Sequence, residues 1–255
     1  MQVEQKFFIG MQDAGAGYKA SNKCLLEMMS NVATLHAIRV GQSAMQVESS
    51  SMVWMVINWK LEVIKRPMAC ETVTARTWAV KYNKLHAQRD FEILGRDGEL
   101  MAKASSLWVA VDPGHASFVK LNEENMGVYQ CEPGKESFPG GSFTRVREKD
   151  HNVLGETEVR IIRSMIDCND HVHNTAYLDL VNEVLPCGVD ESMFDHVEIN
   201  YRKEARLHDK VAVEYAANTE NDVRMDADDP DHTGACCIFI RSADRSVLHA
   251  SVMLS

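Results

Sequence analysis

The chain lacks several features that would place it quickly. No stretch of its 255 residues approaches the roughly 20 consecutive apolar residues that a membrane-spanning helix needs. The N-terminal M-Q-V-E-Q-K-F-F-I-G carries no apolar run long enough for a secretory signal. The seven cysteines, at 24, 70, 131, 168, 187, 236 and 237, form no C-x-x-C pair and are odd in number. That pattern speaks against a disulfide framework or a zinc site and for reduced thiols in a cytoplasm. Cations are the minority charge, 27 against 37 carboxylates, for a net charge of −10. A broad nucleic-acid or anionic-membrane footprint is therefore excluded. Two local basic runs remain, Arg145, Arg147 and Lys149, and Arg202, Lys203 and Arg206. Both read most simply as solvated surface.

What is present is a globular composition, 45% hydrophobic and 25% charged, at a length that allows one large domain or two ordinary ones. The chain reads as two copies of one pattern. In the first, a helical stretch over 22–38 precedes strand-like runs over 52–64, 72–82, 85–94 and 99–111, with a hairpin turn at Gly95-Arg96-Asp97-Gly98. In the second, a helix over 175–185 precedes strands over 195–203, 210–218, 235–241 and 247–254. E-T-V-T-A-R at Glu71 aligns with D-K-V-A-V-E at Asp209, an offset of 138. L-L-E-M-M-S-N-V at Leu25 aligns with Y-L-D-L-V-N-E-V at Tyr177, an offset of 152. A Gly- and Pro-bearing segment over 112–142 separates the copies, and the acidic stretch 218–234 reads as a long hairpin loop. The predicted class is α+β, each helix laying one apolar stripe on an antiparallel sheet. The expected division is an N-terminal repeat over 1–125, a linker over 126–142 and a C-terminal repeat over 143–255.

The most informative stretch is D-C-N-D-H-V-H-N-T-A-Y at 167–177. Asp167, Asn169 and His171 alternate, so an extended backbone would put all three on one face, just ahead of a helix N-terminus. By the same parity Cys168 should face away into the core. Asn174 reads as the helix N-cap, and Tyr177 reads as core. Neutral imidazole suits general acid–base work, and an amide can orient water or a carbonyl. Simple alternation puts Glu204 on the face opposite Val197, Ile199 and Tyr201, a solvated face unless a bulge or the domain interface intervenes.

These residues resemble a family. The 167–177 run is similar to the D-x-N-x-H-V-N-N-x-x-Y signature of acyl-ACP thioesterases, the plant plastid enzymes and their bacterial relatives. Y-R-K-E-A-R at 201–206 resembles that family's Y-R-R-E-C block, and I-N-W-K-L-E-V-I-K-R-P at 57–67 resembles its strand before the P-x-x-x-(E/D)-T turn. The similarity in order covers nearly the whole chain, and only the 167–177 run is specific alone. It implies a tandem (double) hot-dog fold, each half an antiparallel sheet around a long helix. It implies hydrolysis of a fatty acyl-phosphopantetheine thioester on acyl carrier protein, without a cofactor or metal. The absence of a plastid-type extension suggests a bacterial-like form.

Two departures bear on chemistry. His173 stands where the signature has its first Asn of N-N, and Ala205 stands where many members carry Cys after the Glu. With no thiol in that slot, water attack assisted by Glu204 and His171 is favoured over a Cys acyl-enzyme. The expected site is Asp167, Asn169, His171 and Glu204, with backbone N–H groups at Asn174 and Thr175 as oxyanion donors. The two offsets place Gly15, Gly17, Lys19 and Arg66 opposite the four, so one active site is expected, in the second half. The resemblance assigns acyl-chain selection to the first half, where Leu26, Met29, Trp54 and Met55 are candidate pocket residues. An acyl-CoA thioesterase, a hot-dog hydratase or dehydratase, and a non-catalytic acyl-binding protein are the competing readings. No nucleic-acid partner or membrane span is expected, and a homodimer is compatible with the reading.

Overall fold

The computed structural model describes residues 1–43, 52–112, 114–115, 117–141, 143–144, 152–217 and 235–255. The Arg145, Arg147 and Lys149 run and the acidic 218–234 stretch lie outside the described residues.

The first helix forms where the apolar spacing predicts it. Ser21 caps it, its Oγ accepting the Cys24 N–H at 3.0 Å, and α1 runs Asn22–Arg39. Its stripe of Leu25, Leu26, Met29 and Val32 is fully buried. Strands β1 (Gln2–Phe8), β2 (Val53–Val63), β3 (Thr72–Tyr82), β4 (Ala87–Leu94) and β5 (Leu100–Asp112) make the first half-sheet, and short β6 (Ser117–Phe118) pairs with β5. The second half contributes β7 (Asn152–Arg160), β8 (His196–Tyr201), β9 (Lys210–Ala217), β10 (Cys236–Ser242) and β11 (Leu248–Leu254). Ten of these strands lie in the order β1-β3-β4-β5-β2-β8-β11-β10-β9-β7, all pairs antiparallel. The halves therefore share one sheet through β2 and β8, where Asn58 Nδ2 donates to Asn200 Oδ1 and Lys60 pairs with Glu198 at 3.0 Å. One core cluster runs under both halves, from Leu25 and Phe91 to Ile199 and Val213.

The pattern of residues did not reveal β1 and β7. Both are edge strands whose residues are mostly exposed, so polar side chains on both faces blur the alternation. The offsets account for them. Phe8 pairs with Thr72, and Arg160 with Lys210, so the strands stand 160 − 8 = 152 and 210 − 72 = 138 residues apart.

One expectation is corrected. The second helix is short: a 3₁₀ turn, Asn174–Ala176, leads into α3, only Tyr177–Asn182. Its stripe is brief because Pro186 and the left-handed Gly188 follow closely. Ahead of residues 126–142, α2 runs Glu123–Met126, and within that stretch Met126 and Tyr129 are buried and Lys135 O accepts the Trp78 indole N–H at 2.7 Å.

Candidate active site

Asp167, Asn169 and His171 meet through a turn rather than along a strand. Ile166 and Val172 bridge across it, Asp167 N–H donates to His171 O at 2.8 Å, and Asp170 takes φ +61°. Asp167 holds the turn from inside. Its Oδ1 accepts the Asn169 N–H at 2.8 Å and the His171 N–H at 3.2 Å, an Asx-type arrangement. The even spacing in the sequence thus has a different cause from the one expected. Cys168 is exposed rather than in the core, because the turn removes the strand parity.

Glu204 does reach this turn. β8 ends at Tyr201, and both Arg202 N–H and Lys203 N–H donate to His249 O, at 2.8 and 3.2 Å. This two-on-one pairing is a bulge, and it cancels the alternation that would have sent Glu204 away. Ala205 is buried, and its carbonyl accepts the Val172 N–H at 3.0 Å, fastening the two loops together. Glu204 Oε2 lies 2.9 Å from His171 Nε2, with both side chains partly open to solvent.

The start of the second helix is committed differently from expectation. His173, not Asn174, is the cap: its Nδ1 accepts the Thr175 N–H at 3.4 Å, and its carbonyl accepts the Ala176 N–H at 2.9 Å. Thr175 is fully buried, its hydroxyl between His173 Nδ1 at 2.8 Å and Glu27 Oε1 at 3.2 Å. Neither Thr175 nor Ala176 has its N–H free for an oxyanion. Asn174 O accepts from the Tyr201 hydroxyl at 2.6 Å, while the buried Asn174 Oδ1 has no hydrogen-bond partner. Tyr201 stacks edge-on against Tyr177, and burial pushes both phenols up, Tyr177 to about 12.

The first half repeats this backbone nearly bond for bond. Gly15 N–H donates to Lys19 O at 2.8 Å, Ala14 bridges Ala20, Tyr18 takes φ +61°, and Ala20 N–H donates to Pro67 O at 2.9 Å. Each is the counterpart of a bond or angle in the 167–171 turn. The side chains differ. In place of Glu204 stands Arg66, whose guanidinium donates to Ala20 O, Asn22 Oδ1 and Phe194 O and pairs with Asp195. Asn22, the counterpart of Asn174, has its Oδ1 satisfied by Arg66 at 2.8 Å. Beside it, buried Glu191 accepts the N–H groups of Asn22 and Lys23, and desolvation raises its carboxyl to about 7.

An apolar cavity of about 340 Å³ opens in the first half and ends at Cys168 and Asn169. Its walls include Ala33, Ala37, Val53, Trp54, Ala79, Ala87, Trp108, Met126 and Tyr129. Of the four candidate pocket residues only Trp54 lines it, with its indole N–H on the Tyr129 hydroxyl at 3.1 Å. Leu26 and Met29 are fully buried in the main core, and Met55 alternates with Trp54 on β2 and is not in the lining. The small residues were the overlooked signal. Ala33 and Ala37 are one helical turn apart, and they leave room where larger side chains would close the gap. Arg89 also borders the cavity, its Nη1 on His36 Nδ1 at 3.0 Å and its guanidinium over the Tyr129 ring. Burial pulls His36 down to about 3, so it is neutral, and lowers Arg89 to about 10, so it stays a cation.

Two sheet halves of one topology, each packed against a helix and fused through β2 and β8, define a tandem hot-dog protein of the α+β class. The acyl-ACP thioesterase N-terminal domain matches residues 1–129, and the acyl-ACP thioesterase C-terminal domain matches 148–241. The chain belongs to the acyl-ACP thioesterase family. Among curated relatives, the Arabidopsis thaliana oleoyl-acyl carrier protein thioesterase 2, chloroplastic, is 22% identical over 238 residues, which cover 86% of this chain and 64% of that protein. The Arabidopsis palmitoyl-acyl carrier protein thioesterase, chloroplastic, is 26% identical over 78% of this chain and 51% of its own length. This chain thus spans between half and two thirds of those relatives. An acyl-ACP thioesterase from Bacteroides thetaiotaomicron superposes with TM-score 0.81 at 16% identity, covering 99% of this chain and 96% of the other. The 12:0-ACP thioesterase from Umbellularia californica does so with TM-score 0.79 at 15% identity, covering 100% and 96%.

Proposed function

We propose that this protein hydrolyses fatty acyl thioesters carried on acyl carrier protein and releases the free acid. The observation that carries the reading is the His171–Glu204 contact of 2.9 Å, set beside an apolar cavity that ends at Asn169. The acyl chain occupies the cavity, which brings its thioester carbonyl to the Asn169 amide. Asn169 Nδ2 makes only a long, 3.4 Å bond to Asp167, so it can turn to donate to the carbonyl oxygen as negative charge develops there. Asp167 is a positioning residue that fixes the turn.

Water is the nucleophile, since the slot after Glu204 holds buried Ala205 and no thiol. We place it against the Glu204 carboxylate, which is 40% exposed and has His171 Nε2 at 2.9 Å from one oxygen. Glu204 takes one proton as the water oxygen bonds to the carbonyl carbon, and His171 supports the carboxylate. The carbon–sulfur bond then breaks, and the departing thiolate takes a proton from the His171–Glu204 pair. The first half has no equivalent dyad, so we assign one active site per chain, in the second repeat.

The cavity also favours an acyl substrate over a small acid. Among the described residues no helix is long and apolar enough to cross a membrane. All seven thiols are free, which supports our assignment to a reducing, cytoplasmic setting. The test is free-thiol release from matched acyl-carrier panels of varied length. His171→Ala and Glu204→Ala should each lower kcat by about 10²–10⁴ with the circular dichroism spectrum unchanged. Near-native kcat in both would end this reading, and enoyl absorbance changes without thiol release would replace it with a hydratase.

A further inference from the structure

Four arginines surround the catalytic loops, and the duplication shows that the fold does not call for them. Arg160 ends β7, Arg163 starts the following turn, Arg202 leaves β8, and Arg206 follows Glu204 and Ala205. They share one corner: Arg160 pairs in register with Lys210, Ile161 N–H donates to Asp209 O, and Ala205 O holds the catalytic turn at Val172. The offsets of 152 and 138 carry Arg160 and Arg163 onto Phe8 and Met11, and Arg202 and Arg206 onto Ile64 and Met68. Those four apolar residues are exposed by 64%, 57%, 53% and 37% in the same backbone setting. All four arginines are exposed as well. At these four positions the two equivalent corners carry opposite chemistry, whereas Lys203 has a cationic counterpart in Lys65, and the arginines flank in sequence the loops that hold the reacting groups.

The cations are available. Among the described residues, Arg163, Arg202, Lys203 and Arg206 have no ion-pair partner, and Arg160 faces only His208 Nδ1 at 3.3 Å. Of the corner's carboxylates, Glu158 pairs with Lys210 and Glu204 contacts His171. Asp167 and Asp209 accept backbone N–H groups and keep their charge, as does exposed Asp170, so the five cations face these three anions. On a chain of net charge −10, an acidic protein is repelled by most of the surface and drawn to such a corner.

We propose that Arg160, Arg163, Arg202, Lys203 and Arg206 form the docking surface for the acidic protein that delivers the thioester. The identity of that protein as an acyl carrier rests on the function proposed above; the charge complementarity does not. The partner seats its acidic face across the β7 end and the 202–206 loop, and its pantetheine arm enters beside Glu204.

The test combines binding and turnover. Arg163→Glu and Arg206→Glu, singly and together, are compared with Met11→Glu and Met68→Glu at the equivalent positions of the first half. Calorimetric titration with holo acyl carrier protein at low and high salt reads docking. Hydrolysis of acyl-carrier and of the uncharged acyl-N-acetylcysteamine thioester reads delivery. The double arginine variant should bind the carrier at least tenfold more weakly, with a flatter salt dependence. Its kcat/KM ratio, carrier-linked over uncharged, should fall by a similar factor, and the Met variants should keep the wild-type ratio. Unchanged carrier affinity overturns the proposal, as does an equal loss on both substrates. Loss of coenzyme A binding with carrier binding intact also overturns it, since the corner then reads a nucleotide. If wild-type protein cleaves neither thioester yet binds the carrier through these arginines, the proposed function falls and the docking surface stands.

Discussion

Arg66 and Glu204 occupy equivalent positions on a duplicated backbone, and their substitutions should have opposite consequences. Arg66 donates to Ala20 O, Asn22 Oδ1 and Phe194 O at 2.8–3.0 Å and is 7% exposed. Its contact with Asp195 counts little, because that carboxylate is 61% exposed. Arg66→Met keeps the aliphatic stem and strands the acceptors that the guanidinium serves. Charged hydrogen bonds contribute about 1.5–3 kcal/mol each and do not add, so a loss of about 3–5 kcal/mol of stability is expected. Glu204 makes one side-chain contact, to His171, and is 40% exposed, so Glu204→Gln should cost at most about 1 kcal/mol of stability. Gln cannot accept a proton from water, so kcat should fall by about 10²–10⁴, equivalent to about 3–5 kcal/mol of barrier. Urea unfolding gives the stability of each variant, and thiol release in the folded range gives kcat. The reasoning fails if Glu204→Gln destabilises by more than about 2 kcal/mol. It fails equally if folded Arg66→Met loses as much kcat as Glu204→Gln.

Three further outcomes are expected. Glu191 has a folded-state carboxyl near 7 against 4.5 ordinarily, so its contribution is fully present below pH 4.5 and lost as pH rises through about 7. That loss amounts to about 3 kcal/mol, and Glu191→Gln should flatten the unfolding midpoint between pH 5 and 8; an unaltered pH dependence would refute the assignment. Asp167→Asn retains the Oδ1 acceptor for two N–H groups and should stay within about tenfold of wild-type kcat, whereas Asp167→Ala should lose about 10² or more. Equal losses in the two would make Asp167 a direct participant. Ala79→Leu and Ala33→Leu narrow the cavity and should move the preferred acyl chain to shorter lengths in a panel assay, and an unmoved preference would place the chain elsewhere.

Much of this molecule was legible without coordinates. Eight strands and the first helix follow from apolar periodicity, because their buried faces impose it. The offsets of 152 and 138 were readable from two weak matches, and the strand register and loop hydrogen bonds repeat them. The edge strands β1 and β7 were not readable, because an exposed edge strand need not alternate. The second helix was overestimated, because its periodicity continued into residues that Pro186 and Gly188 turn away.

At the site, residue types and their even spacing nominated Asp167, Asn169 and His171, and the resemblance of the 201–206 run to the acyl-ACP thioesterase family added Glu204. Their convergence belongs to tertiary structure. The Asx turn brings the first three residues together, and the bulge opposite His249 reverses the face of Glu204. The cavity depends on alanines of α1, β3 and β4 that meet only when helix and sheet pack. Composition and order determined the fold class and the duplication, and pointed to the half to which we assign the chemistry, because those depend on local periodicity and residue type. Which side chain faces which depended on turns, bulges and packing, because a single residue's shift in register reverses a strand's faces.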